Sequence, residues 1–132
     1  MTRGQRNNNP LNIRRIPGVT WKGQSPEQTD KAFVQFRTME WGLRAAFCIL
    51  RTYARRHNIR RLADILRRWA PPAENDTDAY LHSVCQQTGF TPKQLLTESD
   101  WPTLVRAMAR QESNQLLTDA VLLRAYYLYK LY

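Results

Sequence analysis

From Thr38 onward, apolar residues recur at helical spacing. Trp41, Ala45, Cys48, Ile49 and Tyr53 form one stripe, which Leu43, Phe47 and Leu50 widen. The pattern predicts a helix from an N-cap at Thr38 to about His57. Leu62, Ile65, Leu66 and Trp69 predict a second helix, which Pro71-Pro72 stops because proline lacks the helical N–H donor. A third helix is capped by Asn75 or Asp76, carries Ala79, Tyr80, Val84 and Cys85, and ends at Gly89. Thr91-Pro-Lys-Gln94 has capping-box form and predicts a short fourth helix. A fifth follows Ser99-Asp100 with Trp101, Leu104, Val105, Met108 and Ala109, and a last one starts near Thr118 with Val121, Leu122, Ala125, Tyr126 and Leu128.

The stretch before Thr38 reads differently. Asn7-Asn8-Asn9-Pro10, Pro17-Gly18, Gly23 and Pro26 mark turns. Val19-Thr20-Trp21 and Lys31 to Phe36 are β-prone and predict a small β-wing. The expected architecture is mainly α: one domain over residues 1–132, with an Asn-rich turn and wing at 1–37 and a helical core at 38–132.

At 132 residues and 42% hydrophobic composition, a packed core is within reach and wholesale disorder is not expected. No apolar run is long enough to span a bilayer. Met1 to Pro10 lacks an apolar core segment, so synthesis without a secretory signal is expected. Cys48 and Cys85 show no metal spacing, nor do His57 and His82; two buried free thiols, no metal and no cofactor are expected. The formal net charge of +9 implies an anionic partner, which its sign alone does not identify.

Acids are few: five glutamates and six aspartates. Asp76, Asp78, Asp100 and Asp119 fall at helix starts and Glu40 in a first turn, where carboxylates complement the dipole. Glu112 is different. It lies four residues after Met108, at the end of an apolar stripe and at the negative end of its helix. Both placements favour the neutral acid, as a general acid requires, unless the last turn faces solvent or pairs with an arginine. Glu74 is the second candidate, in a loop stiffened by Pro71-Pro72, although it also suits a capping cluster.

Amides and aromatic faces suit sugar rings, and Asn8, Asn9 and Asn12, followed by Trp21, offer both; a self-bonded turn is the plainer use of such asparagines. Arg51, Arg55, Arg56, Arg60, Arg61, Arg67 and Arg68 form a basic cluster opposed only by Asp64. No helix-turn-helix spacing or phosphate loop accompanies it, so nucleic acid ranks last and a basic face drawn to an anionic envelope explains it as well.

Arg6-Asn-Asn-Asn-Pro-Leu-Asn-Ile13, Trp21-Lys-Gly23, Phe33-Val-Gln-Phe36, Glu40-Trp-Gly-Leu-Arg-Ala45 and Trp69-Ala-Pro-Pro-Ala-Glu-Asn-Asp-Thr-Asp-Ala-Tyr80 together resemble a phage-type virion-associated "structural protein" family, similar to lysozyme-like, murein-degrading virion proteins. The resemblance covers roughly residues 3–124. Ala107-Met-Ala-Arg-Gln-Glu-Ser-Asn114 locally resembles the helix end of lytic transglycosylases, where a Glu-Ser pair carries the catalytic acid. Related glucosaminidases place an Asn-rich turn and β-wing after that glutamate. Here the order is reversed, and a circularly permuted lysozyme-like fold would reunite them. The family usually has glycine where this chain has Leu11, and a Glu-Asn-Gly run where this chain has Glu112-Ser113-Asn114. A leucine in a turn that needs positive φ would lower activity.

The resemblance implies cleavage of peptidoglycan glycan strands, by hydrolysis or lytic transglycosylation. Glu112 would be the acid and Glu74 an auxiliary carboxylate; Asn8, Asn9, Asn12, Trp21, Asn75, Thr77 and Tyr80 would hold sugar. The alternative is a non-catalytic virion or wall-binding protein. The expected protein is a monomer, made in the cytoplasm and acting at the cell wall or periplasm, in association with a virion and its other proteins or released on lysis.

Overall fold

The computed structural model describes every residue from Met1 to Tyr132. Its longest element is α2, Met39–His57. The Thr38 hydroxyl accepts from the Trp41 amide at its start, and Asn58 closes it in the left-handed conformation. Leu43, Ala45, Ala46, Phe47 and Leu50 are all buried. The last helix, α6 (Asp119–Leu131), packs along α2, with the Phe47 ring 5.6 Å from Tyr126 and 5.7 Å from Tyr129. Such aromatic pairs add to the gain from their buried area.

Three further helices complete the packing. They are α3 (Leu62–Trp69), α4 (Thr77–Thr88) and α5 (Trp101–Ser113). Helix α3 packs on α4, and α4 on α5. Leu104, Val105, Met108 and Ala109 of α5 are completely buried. One core of 27 residues runs through all of these elements. Each fully buried Leu, Ile or Phe contributes about 1.5–3 kcal/mol. No helix is long and apolar enough to cross a membrane.

Helix boundaries follow the sequence pattern closely. Asp76 caps α4 by accepting from the Ala79 amide, and Gly89 closes it with φ of +79°. Thr118 caps α6, and α3 stops at Trp69 ahead of the prolines. Three expectations are corrected. The segment at Thr91 is a turn, not a helix: Gln94 folds back so that its side chain accepts from the Thr91 amide, and the chain then bridges Leu95 to Arg61. The N-terminal wing is no sheet. Only the isolated bridges Arg14–Phe33 and Gln24–Phe36 form there. Side chains satisfy the backbone instead: Gln28 exchanges hydrogen bonds with the Gln35 backbone, and Asp30 accepts from the Ala32 and Phe33 amides. Such local bonds compete with a strand ladder. Of the two free thiols, Cys48 is buried but Cys85 only half-buried.

The arm also contains a helix that periodicity does not announce, α1 (Arg3–Arg6). A reciprocal Thr2–Gln5 capping box nucleates it. The following turn rests on α2 at Gly42, where an added Cβ would stand 2.2 Å from the Asn8 carbonyl oxygen. Asn9 is completely buried. Its amide donates to the Ile13 and Val34 carbonyls and accepts from the Ile13 N–H, all at 2.9 Å. It thus holds the two limbs of the arm together.

Candidate active site at the end of helix α5

The apolar stripe of α5 leaves the core at its last turn. Met108 is sealed, Glu112 half-buried, and Ser113 buried again on the opposite side against the arm. Asn114 ends the helix at φ +53°, a conformation asparagine adopts far more readily than most residues.

The arm caps the final carbonyls of α5. Asn12 Nδ2 donates to the Glu112 carbonyl at 3.1 Å. Thr2 Oγ1 and Gln5 Nε2 donate to the Ser113 carbonyl at 2.7 and 3.1 Å, and Gln5 reaches the Asn114 carbonyl at 3.2 Å. Ser113 Oγ returns a 2.8 Å bond to the Pro10 carbonyl. These carbonyls are ones that a helix end leaves without internal partners. The capping fixes the backbone that carries the Glu112 side chain.

The carboxyl itself meets three groups. Tyr80 Oη, from α4, donates to Oε2 at 3.1 Å. Asn12 Nδ2 approaches Oε1 at 3.4 Å. The Arg14 guanidinium acts on it through its charge. Burial pushes the Glu112 carboxyl above its ordinary value; the Tyr80 and Asn12 bonds and the Arg14 charge pull it down, and burial prevails. Tyr80 is driven well above the usual phenol range by its own burial and then by the adjacent Glu112, so it remains a donor. A carboxyl whose pKa is raised, at a helix end, half open to solvent and oriented by a phenol, is chemically suited to pass a proton to a leaving oxygen.

Other expected site residues are distributed differently. Tyr80, Asn12 and Glu112 are brought together. Asn8 and Asn9 turn their amides onto backbone: Asn8 donates to the Phe36 and Arg37 carbonyls, Asn9 to those named above. Thr77 is buried and donates to the Ala70 carbonyl at 2.6 Å, tying α4 to the end of α3. Asn75 is exposed and donates to the Pro71 carbonyl. Glu74 is exposed in the same turn, with no hydrogen bond to Glu112 or its partners. Trp21 is half-buried and packs on the core. Leu11 does not strain its turn. The positive φ angles fall at Asn8 (+51°) and Asn12 (+53°), while the Leu11 side chain lies in the core, 1% exposed.

Sequence reasoning missed Thr2, Gln5 and Arg14. The Thr2-x-x-Gln5 spacing was the available signal for the first two. No group of three His, Cys, Asp or Glu gathers where it could hold a metal.

No protein-family model matches the chain. It is similar to Protein P5 of Pseudoalteromonas phage PM2, with 40% identity over 113 residues, covering 84% of this chain and 71% of that protein.

Proposed function

Since the chain belongs to the family of Protein P5 of Pseudoalteromonas phage PM2, we propose that it is a phage enzyme that cleaves peptidoglycan glycan strands, with Glu112 as the general acid. The observation that supports this reading is the half-buried Glu112 carboxyl, raised by desolvation and oriented by Tyr80 and Asn12. No second carboxylate joins that hydrogen-bonded group, and hydrolysis with two carboxylates needs a partner at a defined separation. Lytic transglycosylation needs one. Glu112 donates its proton to the glycosidic oxygen as the C1–O bond breaks. The sugar's own 6-hydroxyl then bonds to C1 and gives its proton to the Glu112 carboxylate, which closes a 1,6-anhydro ring. Proton and electron pairs balance, and no cofactor enters. The proposed place of action is the bacterial wall, in association with the phage particle.

The test is digestion of purified peptidoglycan by the wild type and by Glu112→Gln, read by mass spectrometry. Anhydro-muropeptides from the wild type and none from the variant support the reading. Equal products from both remove Glu112 from the role.

A second reading is a virion or wall-binding protein without turnover. It is favoured by the placement of Asn8, Asn9 and Glu74, whose polar groups face the protein's own backbone or open solvent. Wall sedimentation without released fragments, in both the wild type and Glu112→Gln, selects it.

A further inference from the structure

Two arginines flank the Phe33 ring in the arm. The Arg3 guanidinium lies 4.6 Å from the ring centroid and that of Arg14 5.2 Å. Their charges are disposed differently. Arg3 is engaged by Asp30 through two bonds, Nε to Oδ2 at 2.7 Å and Nη2 to Oδ1 at 2.6 Å. The neighbouring Arg15 is also tied, through a bond to the Asp30 carbonyl. Arg14 is exposed and has neither a salt-bridge partner nor a hydrogen bond. Its position is nonetheless fixed. The Arg14–Phe33 bridge holds its backbone, the Phe33 face holds its guanidinium, and the buried Ile13 sets it two residues from Asn12. Asn12, two residues before it, reaches the Glu112 carboxyl, and the Arg14 charge acts on that carboxyl.

A guanidinium held on a ring but left without an anion is prepared for one from outside, because its planar fork matches a carboxylate in two bonds. We infer that Arg14 is a specificity residue that binds a carboxylate of an anionic glycan beside the bond that Glu112 cleaves. This rests on the glycan-cleavage reading and narrows it to strands that carry acid groups, such as the stem-peptide carboxylates of peptidoglycan or the lactyl carboxylates of strands without peptides; neutral N-acetylglucosamine polymers lack that anchor. The groups that act on Glu112 are Tyr80 from α4 and Asn12 from the arm, by hydrogen bonds, and Arg14 by its charge. When a substrate carboxylate neutralises Arg14, the cation no longer draws Glu112 toward ionisation, and the proton is retained to higher pH.

The experiment uses the full chain with Glu112→Gln as background, so that ligands survive. Calorimetry compares a muramic-acid tetrasaccharide bearing free lactyl carboxylates with neutral chitotetraose, in this background and with Arg14→Gln or Arg14→Lys added. Loss of a charge-assisted bidentate bond predicts about tenfold weaker binding of the acidic ligand in Arg14→Gln. Partial recovery is expected in Arg14→Lys, and chitotetraose binding changes less than twofold. Equal weakening of both ligands, or of neither, overturns the role of Arg14 and leaves the glycan reading standing. If neither ligand binds the background protein, both are overturned.

Discussion

The Tyr80 hydroxyl donates to Glu112 Oε2 at 3.1 Å, joining α4 to the last turn of α5 across 32 residues of sequence. The phenol is almost wholly buried, while the carboxyl is half open. The bond therefore acts from the protein side and leaves the outer edge of the carboxyl free for a substrate.

That bond favours the ionised carboxylate, so removing it raises the Glu112 pKa further. Tyr80→Phe keeps the buried ring and loses only the donor. Destabilisation of about 1 kcal/mol is expected from the lost hydrogen bond. Under the proposed glycan-cleavage reading, the alkaline limb of kcat/KM on soluble murein fragments moves to higher pH, because the acid holds its proton longer. A limb that moves to lower pH contradicts the assigned roles.

Glu112 also couples stability to pH. Its folded-state carboxyl titrates above the ordinary value of 4.5. Between those two points the native state binds more protons than the unfolded chain, so stability falls as pH rises through the window. Glu112→Gln removes that loss. Its amide can still accept from Asn12 and donate to the Tyr80 oxygen. The variant is expected to melt higher than the wild type at pH 7, with the difference closing below 4.5. Calorimetric Tm measured across that range checks it. A variant that melts lower than the wild type at pH 7 shows that the charged carboxylate is favourable.

Asp30 gives the opposite sign. The Arg3 guanidinium holds its carboxyl well below the usual carboxylate range, helped by Asn7 and by the Phe33 and Ala32 amides. Its contribution is present above the unfolded value and is lost as pH falls through the folded one. Asp30→Asn therefore lowers Tm near neutral pH, and its deficit narrows in acid. The two variants differ in the sign of their effect at pH 7, so one titration series tests both.

Asn9 marks how far an asparagine run can be read from sequence. Three 2.9 Å bonds bury its amide between the limbs of the arm. Asn9→Ala leaves the Val34 carbonyl and the Ile13 N–H without partners, while the Ile13 carbonyl keeps the Val34 N–H, and is expected to cost about 2–4 kcal/mol by denaturant unfolding, from unsatisfied buried groups. Asn9→Asp costs more, since a carboxylate would then face two carbonyl oxygens.

The contrast between Asn9 and Glu112 explains what was legible. Helices α2 to α6 were readable because the periodicity of Trp41 to Tyr53 or Trp101 to Met108 reports a buried face, and capping at Thr38, Asp76 and Thr118 is local chemistry. Glu112 was readable as an acid interrupting such a face. The β-wing was misread because Gln28, Gln35 and Asp30 supply from side chains the bonds that a strand pair would supply from backbone. The direction of the Asn8 and Asn9 amides depends on Val34 and Phe36, some 25 and 28 residues away. Helix α1, with four residues, is too short for any period, and only its capping box betrays it.

Helix α1 makes the last prediction possible. Gly4 faces the end of α5 so closely that an added Cβ would lie 2.7 Å from Ser113 Cβ and 2.9 Å from both Asn12 Oδ1 and the Asn9 carbonyl oxygen. Ser113 Cβ and the Asn9 carbonyl are fixed to backbone; only Asn12 Oδ1 ends a side chain. In Gly4→Ala, α1 must therefore retreat, lengthening the Thr2 and Gln5 bonds to the Ser113 carbonyl and displacing the Asn12 amide that touches Glu112. Overpacking of this kind costs about 1–3 kcal/mol. The Glu112 titration, followed by carbon NMR of its carboxyl, should shift because one of its partners has moved. Gly18→Ala is the control: φ is +82°, but nothing lies within 4 Å. Its cost is the left-handed backbone alone, about 1–2 kcal/mol, and the Glu112 titration should not change. If both variants leave that titration where it was, the arm supports the fold without positioning the acid.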